Sequence, residues 1–213
     1  MAAFQNGVVS QITTDNGYFP EQSAPEPGLR AFAFAPLKFQ PLADLDDLPD
    51  RRLVPARTIL YAQNERPNLV YFIESGIIKL TRVAADGGEV ILGLRGEGWI
   101  IDASSTFLDR PYSSSAVAVT GCRVKYMTRR KFLDLVENSP QLLKHVNHLI
   151  CEEIKAEQEQ QLQFRCSTAA GRLKRLLEEL PQAVGGSDRL PLKQYEIAQL
   201  ISITPEHLSR LLH

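Results

Sequence analysis

The stretch "QYEIAQLISITPEHLSRLLH", Gln194–His213, decides how this chain is read. Counting from Gln194, positions 4, 8, 10, 15 and 18 are apolar: Ile197, Ile201, Ile203, Leu208 and Leu211. Position 5 is Ala198, small enough for two helices to approach closely there. Thr204 suits a helix N-cap, Pro205 the first turn, and Glu206 the positive end of the helix dipole. Two short helices around a tight turn at Ser202, a position where glycine is usual, give the helix-turn-helix pattern. Leu208, Leu211 and Leu212 are expected to hold the second helix on the first. The other side carries Thr204, Glu206, Ser209, Arg210 and His213. A carboxylate accepts from cytosine N4 and a guanidinium donates twice to guanine, so these five are the candidate DNA-contacting residues. The competing reading is a helical hairpin with a merely solvated face; the six matched positions favour the motif. The sequence shows no segment after His213, so the last helical turn is expected to fray in the free protein.

Local charge adds little. Residues 167–213 hold six basic and five acidic side chains, a net +1, so attraction to phosphates is modest. Upstream, "CSTAAGRLKRLLEEL" places Leu173, Leu176, Leu177 and Leu180 on one helical face. Before it, Ser139 and Pro140 open a long helix over 139–166. Leu143, Val146, Ile150 and Ile154 form a stripe along it, and its second half, "EEIKAEQEQQLQ", is nearly all polar. A long helix with a narrow stripe pairs well with its own copy, so these four are the candidate dimer interface. The alternative is that the stripe packs on the chain's own upstream domain.

Residues 36–138 change texture. "RTILYAQNERPNLVYFIESGIIKLTRVAADGGEVILGLRGEGWII" is a series of short β-branched and aromatic runs punctuated by Gly, Asn and Pro. "ADGGEV" reads as a hairpin turn, and "SSSAVAVTGCRVKYMT" as two more strands around Gly121. This spacing suggests a small antiparallel β-roll, jelly-roll-like, and the whole chain an α+β protein. "RRKFLDLVENSP" closes it with a short helix burying Phe132, Leu133 and Val136. Residues 1–35 are polar and rich in turn formers and read as a flexible extension.

Composition narrows the function classes. The 213 residues carry net charge −1 and 44% hydrophobic residues, as soluble globular chains do. No apolar run reaches the roughly 18 residues of a membrane span, and the N-terminus lacks a signal peptide's pattern. Three well-separated cysteines, Cys122, Cys151 and Cys166, form no CxxC pair, so neither disulfide framework nor zinc site is expected, and a reducing cytoplasm is the simplest location. His145 and His148 have helical spacing but no evident third ligand. No serine–histidine–acid set supports catalysis. No cofactor or metal is expected, and the chain does not read as an enzyme.

The order of β-roll, long helix and helix-turn-helix resembles the Crp/Fnr family of bacterial transcription regulators. "LVYFIESGIIKLTR" resembles the family's strand–turn–strand around Gly76, "LRGEGWIID" the approach to its phosphate-binding cassette, and "YEIAQLISITPEHLSRLL" its DNA-binding helices. The resemblance implies a sensor domain over 36–138, a dimerisation helix over 139–166 and a DNA-binding domain over 167–213. It also implies a homodimer on double-stranded DNA, RNA polymerase as a further partner, and a small-molecule effector on the roll. Glu206, Ser209 and Arg210 match the E-x-x-S-R of the fumarate–nitrate regulator branch, which implies a palindromic TTGAT-like site. Nucleotide-binding members carry Gly-Glu and Arg-Ser in the cassette; here Ile101-Asp102 and Tyr112-Ser113 align with them. The phosphate's cation is therefore missing, unless Arg110 shares the face of Tyr112. Trp99, Ile101, Asp102, Arg110, Tyr112 and Ser113 form the candidate effector pocket. No cysteine precedes Cys122, so the branch's N-terminal iron–sulfur sensor is not expected. Family members continue into a β-wing, which this sequence does not show. The alternative is a dimeric sensor or interaction module that no longer binds DNA productively.

Overall fold

A computed structural model describes residues 50–85, 87–183 and 191–212. The 1–35 extension, Asp86 in the hairpin turn and His213 lie outside the described residues. Eight strands come first: β1 Arg51–Val54, β2 Ile59–Tyr61, β3 Leu69–Ser75, β4 Ile78–Val83, β5 Glu89–Arg95, β6 Ile100–Ile101, β7 Ser115–Ala118 and β8 Cys122–Thr128. A short helix α1, Ala103–Leu108, interrupts them after β6. They form two four-stranded antiparallel sheets, ordered β1-β8-β3-β6 and β2-β7-β4-β5. The expected hairpin is β4–β5, pairing Val83 with Glu89 and Ile78 with Arg95. The two strands flanking Gly121 do not pair with each other: β7 joins one sheet and β8 the other. That switch helps close the roll around its core.

Gly76 turns β3 into β4 at φ 94°, a conformation that disfavours any side chain. A Cβ there would lie 2.6 Å from the Gly121 carbonyl oxygen and 2.7 Å from Cys122 Sγ. The roll core gathers Val70, Phe72, Ile73, Ile78, Trp99, Ile101, Tyr112 and Val124. Helix α2, Arg129–Asn138, closes it with Phe132 and Val136, as its spacing predicts, and Leu133 packs at the margin.

Helix α3 runs from Pro140 to Cys166, and the Ser139 hydroxyl caps it by accepting from the Leu142 N–H at 3.2 Å. Its apolar stripe divides. Val146 is fully buried in the chain's own core beside Leu142 and Leu149. It is therefore unavailable to a second copy, which corrects the expectation that groups it with Leu143, Ile150 and Ile154. Leu143 and Ile154 are 43% and 49% exposed, and Ile150 is half-buried. The physical reason is width: the roll covers one flank of the stripe and leaves the other outside.

Helices α4 Ala169–Ala183, α5 Gln194–Leu200 and α6 Pro205–Leu212 complete the described chain. Leu173, Leu176 and Leu180 are buried as expected, whereas Leu177 is substantially exposed. Ala198 is fully buried at the close approach of α5 and α6. Ser202 takes the left-handed conformation, φ 52°, that the turn demands of its usual glycine. Arg172 fastens α4 to this turn, donating from Nε to the Ile201 carbonyl at 2.8 Å. The second core contains Ile77, Ile91 and Leu94 from the roll together with Leu176, Ile197, Leu200, Ile201 and Leu208. The helical unit is thus packed onto the β4–β5 hairpin.

Candidate functional site

Two places carry the sequence-derived candidates: the outer face of α6 and the interior of the roll. On α6, Leu208 is buried and Leu211 is partly buried, while Leu212 is half-exposed and does not anchor the helix as expected. Glu206, Ser209 and Arg210 are exposed, as is Pro205 beside them, and Thr204 at the cap is exposed too. The Thr204 hydroxyl accepts from the His207 N–H at 3.2 Å, which makes it a true cap. Hydrogen bonds from its own N–H and from the Thr204 hydroxyl hold the Glu206 carboxyl below its ordinary pKa, with Arg210 adding to the effect. Glu206 therefore stays ionised and keeps its capacity to accept. Residues 206 and 210 lie four apart, about one helical turn, and so present to neighbouring positions of a groove.

Inside the roll the candidates separate. Trp99, Ile101, Asp102 and Tyr112 are buried, whereas Arg110 and Ser113 are exposed. Residues 110–114 precede β7 rather than extending it as a regular strand, so Arg110 does not share the inward face of Tyr112. Tyr112 stacks on Tyr61 with ring centroids 3.7 Å apart, and its hydroxyl donates to the Leu69 carbonyl at 2.7 Å. Burial pushes the phenols of both residues up, and the nearby Asp102 carboxylate reinforces the shift at Tyr61. Both rings are therefore neutral, and neither supplies positive charge.

Asp102 is also committed. It sits at φ 51° as the N-cap of α1, its Oδ1 accepting from the Ser105 N–H at 3.2 Å and the Ser104 hydroxyl at 3.0 Å. Its Oδ2, the Tyr61 hydroxyl and Trp99 Nε1 are buried without a hydrogen-bond partner. A cation beside this interior, Arg95, was not a sequence candidate. Arg95 lies 5.4 Å over the Trp99 ring and donates to Glu153 on α3 at 2.6 Å from Nη2 and 3.2 Å from Nε. It joins roll to long helix and is already paired. Its signal was an arginine ending an apolar strand, which alone does not distinguish an inward from an outward side chain.

Sequence reasoning also missed the junction between roll and helices. Lys79 on β4 pairs with Glu196 on α5 at 2.6 Å, and both side chains are about nine-tenths buried. Gln199 clamps the edge of β5: its Oε1 accepts from the Ile91 N–H at 3.2 Å and its Nε2 donates to the Glu89 carbonyl at 3.1 Å. Among the described residues no group of three or more His, Cys, Asp or Glu is arranged to hold a metal. No helix there is long and apolar enough to cross a membrane.

A closed antiparallel roll, a long helix and a helix-turn-helix with an exposed outer face follow one another along the described chain. Residues 51–139 match the cyclic nucleotide-binding domain family. The chain is 26% identical over 159 residues to a CRP-like cAMP-activated global transcriptional regulator of Mycobacterium tuberculosis, covering 72% of this chain and 71% of that protein. It is 28% identical over 163 residues to the transcriptional activatory protein AadR of Rhodopseudomonas palustris, covering 71% and 64%. A CRP-family transcriptional regulator from Thermus thermophilus shares the fold, with a TM-score of 0.65 at 18% identity over 76% of this chain and 82% of that one. Over about seven-tenths of its length the chain is thus similar to CRP-type transcription regulators.

Proposed function

We propose that the protein reads a palindromic TTGAT-like DNA site as a homodimer, with residues 36–138 as sensor, 139–166 as dimerisation helix and 167–213 as DNA-binding unit. The observation that carries this reading is the division of α6. Leu208 faces inward, and Glu206, Ser209 and Arg210 stand together on the outer face. Arg210 donates to a guanine, Glu206 accepts from a cytosine, and Ser209 adds a smaller contact. The exposed Leu143 and Ile154, with the half-buried Ile150 between them, support pairing of two α3 helices. Such a dimer sets two recognition helices on half-sites about one turn of DNA apart. RNA polymerase is the further partner this role entails.

The effector differs from that of the cAMP-activated relatives. A cyclic phosphate needs a positioned cation to replace its hydration. The aligned position holds the buried, neutral Tyr112 stacked on Tyr61, Arg95 is held by Glu153, and Arg110 faces solvent.

Fluorescence anisotropy tests the DNA reading. A TTGAT-type palindrome should compete better than a scrambled duplex, and Arg210→Ala should erase that margin, a loss of roughly 1–3 kcal/mol per half-site. Equal binding of both duplexes by the wild type would instead support a dimeric sensor or interaction module.

A further inference from the structure

Cations gather where the roll meets the helix-turn-helix. A half-open cavity of about 250 Å³ lies there, lined by Arg57, Lys79 and Val117–Val119 from the roll, and by Lys193, Tyr195 and Glu196 from the helical side. Lys79 is committed to Glu196, with Glu89 a further 3.8 Å contact. Arg57 and Lys193 are exposed and form no ion pair among the described residues. The Lys193 ammonium rests 5.6 Å from the centroid of the Tyr195 ring, and both residues line the cavity. Arg57 is held there by its backbone. It adopts φ 70°, its N–H donates to the Ala118 carbonyl at 2.7 Å, and the Ala118 N–H returns a bond to Thr58 at 2.9 Å. A non-glycine residue in that conformation is costly, and such strain gathers at ligand clamps.

We propose that this cavity binds a small organic dianion, a compact carboxylate or phosphate, and that it is an effector site distinct from the roll interior. Its volume lies below the roughly 300–1,000 Å³ of ordinary ligand clefts, so the ligand is small. Two cations without an ion pair among the described residues, around one neutralised pair, select a charge near −2. The Val117–Val119 wall lowers the local dielectric and strengthens both contacts. Because the lining comes from both parts of the chain, an occupant couples the roll to the reading helices. The regulatory role rests on the DNA-binding reading above, whereas the binding site rests on its own residues.

Calorimetry on the full chain at low ionic strength, with inorganic phosphate and separately with succinate, tests the site. One equivalent per chain should bind, and added sodium chloride should weaken it. Arg57→Gln and Lys193→Gln should each weaken binding about tenfold or more, with unchanged melting temperature because both side chains are exposed. Heat from phosphate alone or succinate alone identifies which anion the cavity takes. No heat from either at millimolar concentration, or equal binding by wild type and both variants, overturns the inference. Anisotropy with the palindrome on the same samples, free of added anion, separates the two claims. Palindrome binding without anion binding defeats only the cavity, and anion binding without palindrome selectivity defeats only the DNA reading.

Discussion

Replacing Glu196 with glutamine should loosen the helical unit from the roll. The carboxylate does two jobs: Oε1 pairs with Lys79 at 2.6 Å, and Oε2 accepts from the Lys193 N–H at 2.8 Å to cap α5. Glutamine keeps one acceptor for the cap but removes the charge. Lys79, whose side chain is 12% exposed, then faces only Glu89 at 3.8 Å. Breaking a fully buried pair on one side costs about 3–5 kcal/mol, because the remaining charge stays desolvated. Partial exposure and the second carboxylate reduce this to about 1.5–3 kcal/mol. Lys79→Met removes the charge that needs a partner, so the double variant Lys79→Met/Glu196→Gln should recover most of the loss. Urea unfolding of wild type, both single variants and the double variant closes the cycle. A coupling energy of about 1.5 kcal/mol or more is expected. A value within about 0.5 kcal/mol of zero would refute the argument that this ion pair fastens the junction.

Three further outcomes follow from the geometry. Ile154→Glu, on the exposed flank of α3, should convert the dimer to monomer in light scattering because it places a charge in the self-paired seam; a wild type already monomeric at micromolar concentration would remove the dimer proposal. Cyclic AMP should bind at least one to two decades more weakly than to a pocket with a phosphate cation, since one charge-assisted contact is worth roughly 1.5–3 kcal/mol, and micromolar affinity by calorimetry would contradict this. Gly76→Ala should destabilise by about 2–4 kcal/mol in denaturant unfolding, through left-handed strain and the close Gly121 carbonyl together; a loss below about 0.5 kcal/mol would mean that the turn relaxes freely.

Most of the architecture was legible because it depends on local rules. The Ser139–Pro140 start, the Thr204 cap and the β4–β5 hairpin each declare themselves within a few residues. So does the helix-turn-helix, where Ser202 takes the turn without glycine because the surrounding core holds Ile201 and Ile203 in place. The misreadings share a different cause. Periodicity shows that Leu143, Val146, Ile150 and Ile154 lie near one face, but not where the roll's cover ends. Val146 falls inside that edge and Ile154 outside it. Leu177 and Leu212 fail for the same reason: apolar spacing exceeds the surface available to cover it. In the roll, alignment names six positions, of which Trp99, Ile101, Asp102 and Tyr112 are buried and Arg110 and Ser113 are exposed. It cannot show that Tyr61, from a distant strand, stacks on Tyr112 and fills the space beside Asp102.

The junction was least legible, and its arrangement bears on how the molecule works. Lys79 and Glu196 are 117 positions apart, and Gln199 reaches β5 across 108 and 110 positions. A lone lysine in a strand and a glutamine on a short helix carry no local sign of such partners. Yet these contacts fall on α5, whereas the candidate base-reading side chains fall on α6. Among the described residues the polar ties to the roll include none from α6. On the proposed DNA reading, anchoring and reading fall to separate helices, joined through Ala198, Ile201 and Leu208. A change at the roll acting on Lys79 or the β5 edge would move α5 first and carry α6 with it as a packed unit. The identity of the reading residues need not change for their placement to change. Substitutions at Glu196 or Gln199 should therefore alter DNA affinity while leaving the preferred base sequence intact, and Arg210→Ala should do the reverse and relax the preference at a guanine. Anisotropy with single-base variants of the palindrome separates the two. A shift in base preference from Glu196→Gln would show that anchoring and reading are not divided in this way.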